Sequence, residues 1–216
     1  MEGLGTLLGR KRRLKVLCLG AHCDDIEIGC GATLLRLAGE RSIDVTWIVL
    51  CSTPTREAEF HLSAGRFLRN ARSTEVRIEA LPDGYLPAHW AEAKDCLESL
   101  KRLPRPDLVF THERDDRHQD HRVVNELTWN TFRDHTILEY EVPKYDGGLG
   151  NPNFYAPVTR TVAQRKARLL IESYVSQQHK PWFGEDAFLA LMRLRGIECN
   201  APHGLAEAFH VRKVVL

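Results

Sequence analysis

The sequence predicts an α/β fold with a mostly parallel central sheet, and three observations carry that prediction. Short β-branched runs alternate with longer segments of helical periodicity as far as about residue 140, the pattern of βαβ units. The runs are apolar almost throughout, as strands covered by helices on both faces must be. The two most polar loops, 21–25 and 112–121, each follow such a run, where loops leave the C-terminal edge of a parallel sheet.

Residues 14–19 form a short apolar run closed by Gly20, which reads as a strand. Gly29-Cys30-Gly31 then opens an apolar-periodic helix over 32–38, ended by Gly39. Residues 44–50 are β-branched and nearly continuous, a buried parallel strand. A helix over 56–68 and a short strand over 76–80 come next, then a turn at Pro82-Asp83-Gly84. The helix predicted over 91–103 is stopped by Pro104 and Pro106. A buried strand at 107–111, a polar loop and a helix over 122–132 follow. Past about residue 140 the pattern weakens. Asp146-Gly147-Gly148 and Asn151-Pro152-Asn153 make an irregular stretch, a long helix covers 162–178, and a short strand near 209–215 closes the chain. No repeat, low-complexity tract or linker interrupts this order. The expected organisation is a lead-in over 1–13 and a single domain over 14–216, folded as a Rossmann-like three-layer sandwich.

A chain of 216 residues suits one domain. Hydrophobic residues at 43% and charged residues at 27% give an ordinary soluble balance. A net charge of +1 supplies no field to recruit nucleic acid or an anionic membrane. The one dense basic run, Arg10-Lys11-Arg12-Arg13, precedes the first strand and reads as a solvated lead-in. No apolar stretch approaches the ~20 residues of a membrane span. The mildly apolar stretch 1–9 has its charges after it, the reverse of a signal peptide. The six cysteines show no paired spacing, and Cys18, Cys30 and Cys51 lie in or beside apolar runs as small buried hydrophobes. A reducing cytoplasm is the expected setting.

Two clusters carry chemistry. Ala21-His22-Cys23-Asp24-Asp25 sits directly after the first strand. Taken alone, it also reads as an Asx-type turn capping the next helix. The second cluster runs from His112 to His121 and holds three histidines and three aspartates, with His118 and His121 spaced to face one way on a helical turn. Taken alone, it also reads as a solvated loop. Together they say more, because loops on one sheet edge can converge. Histidine, aspartate and histidine around an open fourth position are the ligand set of a catalytic zinc site. A spare carboxylate beside the metal then serves as general base.

The segment VLCLGAHCDDIEIGCGATLLRLA resembles the N-terminal signature of the PIG-L/LmbE deacetylases, Ala-His-Pro-Asp-Asp followed by a Gly-Cys-Gly-Gly turn. The resemblance extends to Thr55-Arg56 with Glu59, to Leu81-Pro82-Asp83-Gly84, and to His118-Gln119-Asp120-His121, similar to the family's His-Pro-Asp-His. It continues weakly to Ala206-Glu207-Ala208-Phe209. It implies a zinc-dependent hydrolase that removes the acetyl group from an N-acetylated amino sugar, working as a trimer or hexamer. By that resemblance His22, Asp25 and His121 hold Zn2+, and Asp24 is the general base for water attack. His118 stabilises or protonates the developing oxyanion, Asp120 orients a histidine from behind, and Arg56 lines the substrate pocket near sugar hydroxyls or a phosphate.

The chain departs from the family pattern where Cys23 replaces proline, Ala32 replaces glycine and Gln119 replaces proline. Proline at position 23 would stiffen the loop rather than ligate, so the chemistry stands, and Cys23 is not counted among the ligands. His112 reads as a buried, hydrogen-bonded histidine that starts the second loop. Tyr85, Trp90 and Trp182 read as packing residues before sugar-stacking ones. The irregular region 140–155 is where acceptor choice is expected to be shaped. The motifs report the bond cleaved and not its surroundings. A zinc-dependent amidase on a non-sugar or thiol-conjugate amide therefore stands beside the sugar deacetylase. A carbohydrate-binding module with a vestigial metal site is a third reading, and the complete ligand set argues against it. A nucleotide-dependent oxidoreductase is rejected, since the glycines at 29 and 31 are followed by Leu34 where the dinucleotide loop needs glycine.

Overall fold

A strand covered by helices on both faces splits its alternate side chains between two cores, and β1 (Arg13–Gly20) does this. Leu14, Val16 and Cys18 point into one core, Leu17 and Leu19 into the other. The computed structural model describes residues 13–214. The stretch 1–9, the basic residues 10–12 and the last position of the strand expected at 209–215 lie outside the described residues.

The sheet has seven strands in the order β3-β2-β1-β4-β5-β7-β6. The others are β2 (Ser42–Cys51), β3 (Ser73–Leu81), β4 (Leu108–His112), β5 (Ile137–Tyr140), β6 (Phe154–Pro157) and β7 (Ala206–His210). β1 to β5 pair in parallel, and β7 runs antiparallel to β5 and to β6. The helices are α1 (Asp25–Glu40), α2 (Pro54–Phe67), α3 (Trp90–Ser99), α4 (Gln119–Thr131), α5 (Arg160–Ser173) and α6 (Glu185–Glu198). Residues of α1, α2, α5 and α6 fill the core on one face, those of α3 and α4 the core on the other. The mostly parallel three-layer sandwich expected from the sequence is the observed architecture. Among the described residues no helix is long and apolar enough to cross a membrane.

Several boundaries move, each for a physical reason. α1 starts at Asp25, so Gly29-Cys30-Gly31 lies inside the helix instead of opening it. A Cβ on Gly29 would come within 2.2 Å of the Tyr140 ring, and one on Gly31 within 2.6 Å of Phe67. The glycines let α1 lie close against β5 and α2, and that contact offsets the ~1 kcal/mol each costs in a helix. The helix expected over 162–178 ends at Ser173, where the fully buried Tyr174 turns the chain into one 3-10 turn at Val175–Gln177. The helix expected to reach 103 ends in a 3-10 turn at Leu100–Arg102. In the stretch read as irregular, β6 is only four residues, too short to show a period. α6 escaped notice because its buried face is Phe188, Met192, Arg195 and Gly196, which mixes an arginine and a glycine into the apolar stripe.

The chain steps from β1 outward through β2 to β3, then returns to lay β4 on the other flank of β1. Val16 pairs with Leu108 and Cys18 with Phe110. The C-terminal ends of β1 and β4 thus bound the crevice where strand order reverses, the place open α/β sheets bind ligands.

Alanine normally stabilises a helix interior relative to glycine. Gly29→Ala is expected instead to destabilise the fold by ~1–3 kcal/mol through overpacking against Tyr140, read from urea unfolding midpoints. A midpoint at or above that of the parent chain would refute the close approach.

Candidate active site

The two polar loops meet because their strands are neighbours. At the end of β1, the Ala21 backbone N–H donates to His112 Nε2, the last side chain of β4, at 3.0 Å. The chain then turns tightly, with Asp24 N donating to His22 O at 3.0 Å. Asp25 opens α1, and its Oδ2 accepts the His22 N–H at 2.6 Å. From the other side, the loop after β4 runs into α4. His118 is the N-cap residue, with its Nδ1 accepting Asp120 N–H at 3.2 Å, and His121 follows on the first turn.

His22 and His121 are 99 positions apart in sequence, yet His22 Nδ1 and His121 Nε2 lie 3.2 Å apart. Asp25 Oδ2 is 3.2 Å from His22 Nδ1 and 3.5 Å from His121 Nε2. A tetrahedral zinc ion with bonds of about 2.0–2.1 Å holds its ligand atoms roughly 3.3 Å from one another. The three atoms therefore form a face that fits such an ion, with imidazole and carboxylate donors that suit it and a fourth vertex left for water or substrate. Among the described residues, His22 and His121 also recur in the wider groups of side chains able to hold an ion, the first with His118, Asp83 and Asp120, the second with Asp25 and His112.

Each ring is held from behind, the arrangement that fixes which nitrogen is free to ligate. His22 Nε2 faces Asp120 Oδ2 at 3.1 Å, and Asp120 also accepts the backbone N–H of Gly84 at 2.7 Å and of Leu86 at 3.0 Å. His121 Nδ1 is bonded to Asp116 Oδ2 at 2.9 Å, and Lys144 Nζ donates to the same oxygen at 2.8 Å. Asp116 Oδ1 accepts the His118 N–H at 2.8 Å. Asp116 and Lys144 were missed in the sequence. The loop offers three aspartates, and only the path of the chain selects the one that meets His121. His112 proves more central than a buried strand-end histidine. It is fully buried, stacks on His121 with ring centroids 3.8 Å apart, and stands 3.2 Å from Asp25 Oδ2.

Asp24 is buried and forms an ion pair with Arg56, Oδ2 to Nη2, at 2.9 Å. Burial raises its carboxyl pKa, and the Arg56 charge opposes the rise. Arg56 also bonds Cys23 O at 3.1 Å and Glu59 at 3.3 Å and sits over the Tyr174 ring at 4.8 Å. The guanidinium is thus anchored against Asp24. Cys23 turns away from the ring cluster, with Sγ 3.3 Å from Ser52 Oγ, and burial pushes its thiol up to about 12. It carries no thiolate to offer a metal.

The rings titrate in opposite directions. Burial disfavours a charge on His22, but the Asp25 carboxylate, with Asp120 and Asp83, outweighs it and raises the pKa well above the ordinary value. Burial, reinforced by His112, pushes His121 down to about 3. Burial would raise Asp25, but the rings of His121, His112 and His22 hold it well below the usual carboxylate range. Burial and the His22 charge lower His118, so its ring is neutral near pH 7.

The family model described as PIG-L, GlcNAc-PI de-N-acetylase, matches residues 17–132. The uncharacterized deacetylase YaiS of Escherichia coli strain K12 is 29% identical over 148 residues, 63% of this chain and 78% of that protein. Among solved structures, the conserved protein TT1542 from Thermus thermophilus superposes with a TM-score of 0.73 at 25% identity, covering 94% of this chain and 96% of the other. The N,N'-diacetylchitobiose deacetylase from Pyrococcus horikoshii gives a TM-score of 0.70 at 19% identity, covering 96% and 89%, a likeness of fold.

Two outcomes are expected. Asp116→Asn removes the charge behind His121 and should weaken divalent-ion affinity by ~10–100-fold, measured by competition with a chelator. An ion that takes the His22 Nδ1 lone pair displaces the proton its raised pKa keeps there at pH 7, whereas His121, at about 3, has none to give. Calorimetry in two buffers of different ionisation enthalpy should therefore report release of about one proton per ion. No buffer dependence would contradict the assignment.

Proposed function

The chain belongs to the PIG-L family, and from that premise we propose that it is a zinc-dependent N-deacetylase, hydrolysing the N-acetyl group of an amino sugar or sugar conjugate of the N-acetylglucosamine type. The observation that carries the reading is the triangle of His22 Nδ1, Asp25 Oδ2 and His121 Nε2, with edges of 3.2, 3.2 and 3.5 Å. These residues would hold the zinc. When bound, zinc draws the pKa of water toward ~7 and polarises the amide carbonyl.

Asp24 takes the proton of the water that adds to the carbonyl carbon. Its raised pKa makes it a stronger base than an exposed aspartate, and the pair with Arg56 keeps it ionised between turnovers. His118 faces the oxyanion. Its Nδ1 lone pair is engaged by the Asp120 N–H, so the neutral ring carries its hydrogen on Nε2 and donates from there. Asp120 holds His22 Nε2, leaving Nδ1 as the nitrogen that would hold the zinc, and Asp116 holds His121 Nδ1, leaving Nε2 for the same purpose. Asp24 or His118 returns a proton to the leaving amine. Arg56 acts on the substrate side through Asp24, bordering the pocket.

The amino-sugar substrate is supported by the family's description as a GlcNAc-PI de-N-acetylase and by the diacetylchitobiose deacetylase of similar fold. The loop between β5 and β6 brings Lys144 to Asp116 and an exposed Tyr145 beside it, which supports region 140–155 as the shaper of acceptor choice. All six cysteines are free, in keeping with a reducing cytoplasm.

Purified protein assayed for acetate release should hydrolyse N-acetylglucosamine derivatives faster than simple acetamides, and a chelator should abolish the activity. A rate unchanged by chelation refutes the metal reading, while equal rates on simple acetamides move the substrate away from sugars. Asp24→Ala should keep its zinc and lose ~10²–10⁴-fold in turnover.

A further inference from the structure

Glu27 is a buried carboxyl that the reaction above does not use. It stands on the first turn of α1 and is fully buried. Its Oε1 accepts the Ser63 hydroxyl of α2 at 2.6 Å and the Tyr174 hydroxyl as well, while its Oε2 meets no donor among the described residues. A buried carboxyl with one oxygen idle costs stability, so its two bonds call for a purpose. Ser63 and Tyr174 are themselves fully buried, and Tyr174 packs nearly at right angles against Phe183, ring centroids 6.4 Å apart. The Tyr174 ring is therefore fixed in place, and the Arg56 guanidinium lies over its face, 4.8 Å from the centroid.

Asp24 depends on that guanidinium. An aspartate at a helix N-cap ordinarily turns its carboxylate onto the backbone N–H groups of the first turn. Asp24 is the N-cap of α1 and makes no such bond, and among the described residues its ion pair is with Arg56. Arg56 thus sets the direction of the carboxylate. The donors of Arg56 leave along its edge, from Nη2 to Asp24 and Cys23 O, and from Nη1 to Glu59 and Ser176. Edge contacts leave a planar group free to rise out of its plane, and a ring against its face does not. The contacts close a circuit, from Asp24 to Arg56, to Tyr174, to Glu27 and back along α1 to Asp24.

We propose that Tyr174 is a positioning residue of the reaction, held by Glu27, whose ring seats Arg56 and through it aims Asp24 at the attacking water. This rests on the reading of Asp24 as general base. The side-chain bond and ring contacts of Tyr174 lead to Glu27, Arg56 and Phe183, and not to His22, Asp25 or His121. Loss of the ring should therefore slow turnover and leave metal binding alone.

The test compares the full chain with Tyr174→Phe, Tyr174→Leu, Arg56→Gln and the Arg56→Gln/Tyr174→Leu double variant. Acetate release from an N-acetylglucosamine derivative, bound zinc by elemental analysis and the urea unfolding midpoint are read for each. Tyr174→Phe keeps the ring and should keep most of the turnover. Tyr174→Leu should hold its zinc and lose ~10–100-fold in kcat, the scale of a small misplacement of a reacting group. With Arg56→Gln already in place, the leucine should cost no further turnover. Should leucine unfold the chain, trifluorophenylalanine at position 174 keeps the shape while stripping the ring face of its negative charge. It should turn over more slowly than Tyr174→Phe, and only while Arg56 is present. A loss of equal size with and without Arg56, a phenylalanine as slow as the leucine, or a loss of zinc overturns the positioning role. The midpoints need no substrate, and there too the ring and Arg56 should be non-additive. Additive midpoints overturn the seating whatever the activity. A parent that releases no acetate refutes the deacetylase reading, and with it the role in the reaction, while the midpoints still decide the seating.

Discussion

The whole site depends on β1 and β4 lying side by side in parallel. That pairing points both strand ends at one crevice, and the bond from Ala21 N–H to His112 Nε2 ties the ends together. From there the geometry is short-range. One residue on from the tie, His22 turns into the crevice, and nine residues beyond His112 the first turn of α4 presents His121. Neither segment carries the donor set alone. A sheet that placed β4 next to β3 instead would separate the two histidines by further strand spacings of about 4.8 Å each.

The crevice is crowded with charge that a protein interior does not tolerate unpaired. Asp24, Asp25, Asp116 and Asp120 are all buried. Each is accounted for, Asp24 by Arg56, Asp116 by His121 and Lys144, Asp120 by two backbone amides and His22, and Asp25 by three imidazoles. Concentrating four carboxylates around a few rings costs desolvation. A divalent cation among them would balance that charge; in its absence the carboxylates raise His22, while burial and His112 lower His121.

A second buried ion pair holds α1 in place. Glu207, from β7, accepts the backbone N–H of Ala32 at 2.9 Å and of Thr33 at 2.7 Å, both in the middle of the helix, while Lys166 Nζ bonds Glu207 at 2.6 Å and Ile28 O. The side chains enter the helix wall where Gly29 and Gly31 already let its neighbours approach closely. Because Asp24 and Asp25 stand at the N-terminus of this helix, its seating sets where they point. Buried pairs of this kind contribute little net stability, and fixing one arrangement is their better-attested use. The weak motif Ala206-Glu207-Ala208-Phe209 thereby acquires a reason, since Glu207 is the residue that reaches α1.

By itself the sequence determined the alternation of strands and helices, the two polar loops and the histidines and carboxylates in them. These are local properties, since apolar periodicity and motif spacing are written within a dozen residues of one another. It did not reveal β5, β6 or α6, because four-residue strands have no measurable period and a buried arginine breaks an apolar stripe. Which of the loop's three aspartates backs His121, that Lys144 joins it, that Arg56 is clamped to Asp24, and that His112 links the two strand ends were decided by the tertiary structure alone. Those are contacts between segments far apart in the chain, and a side chain's partner across such a distance depends on strand order and helix seating, which no local pattern encodes.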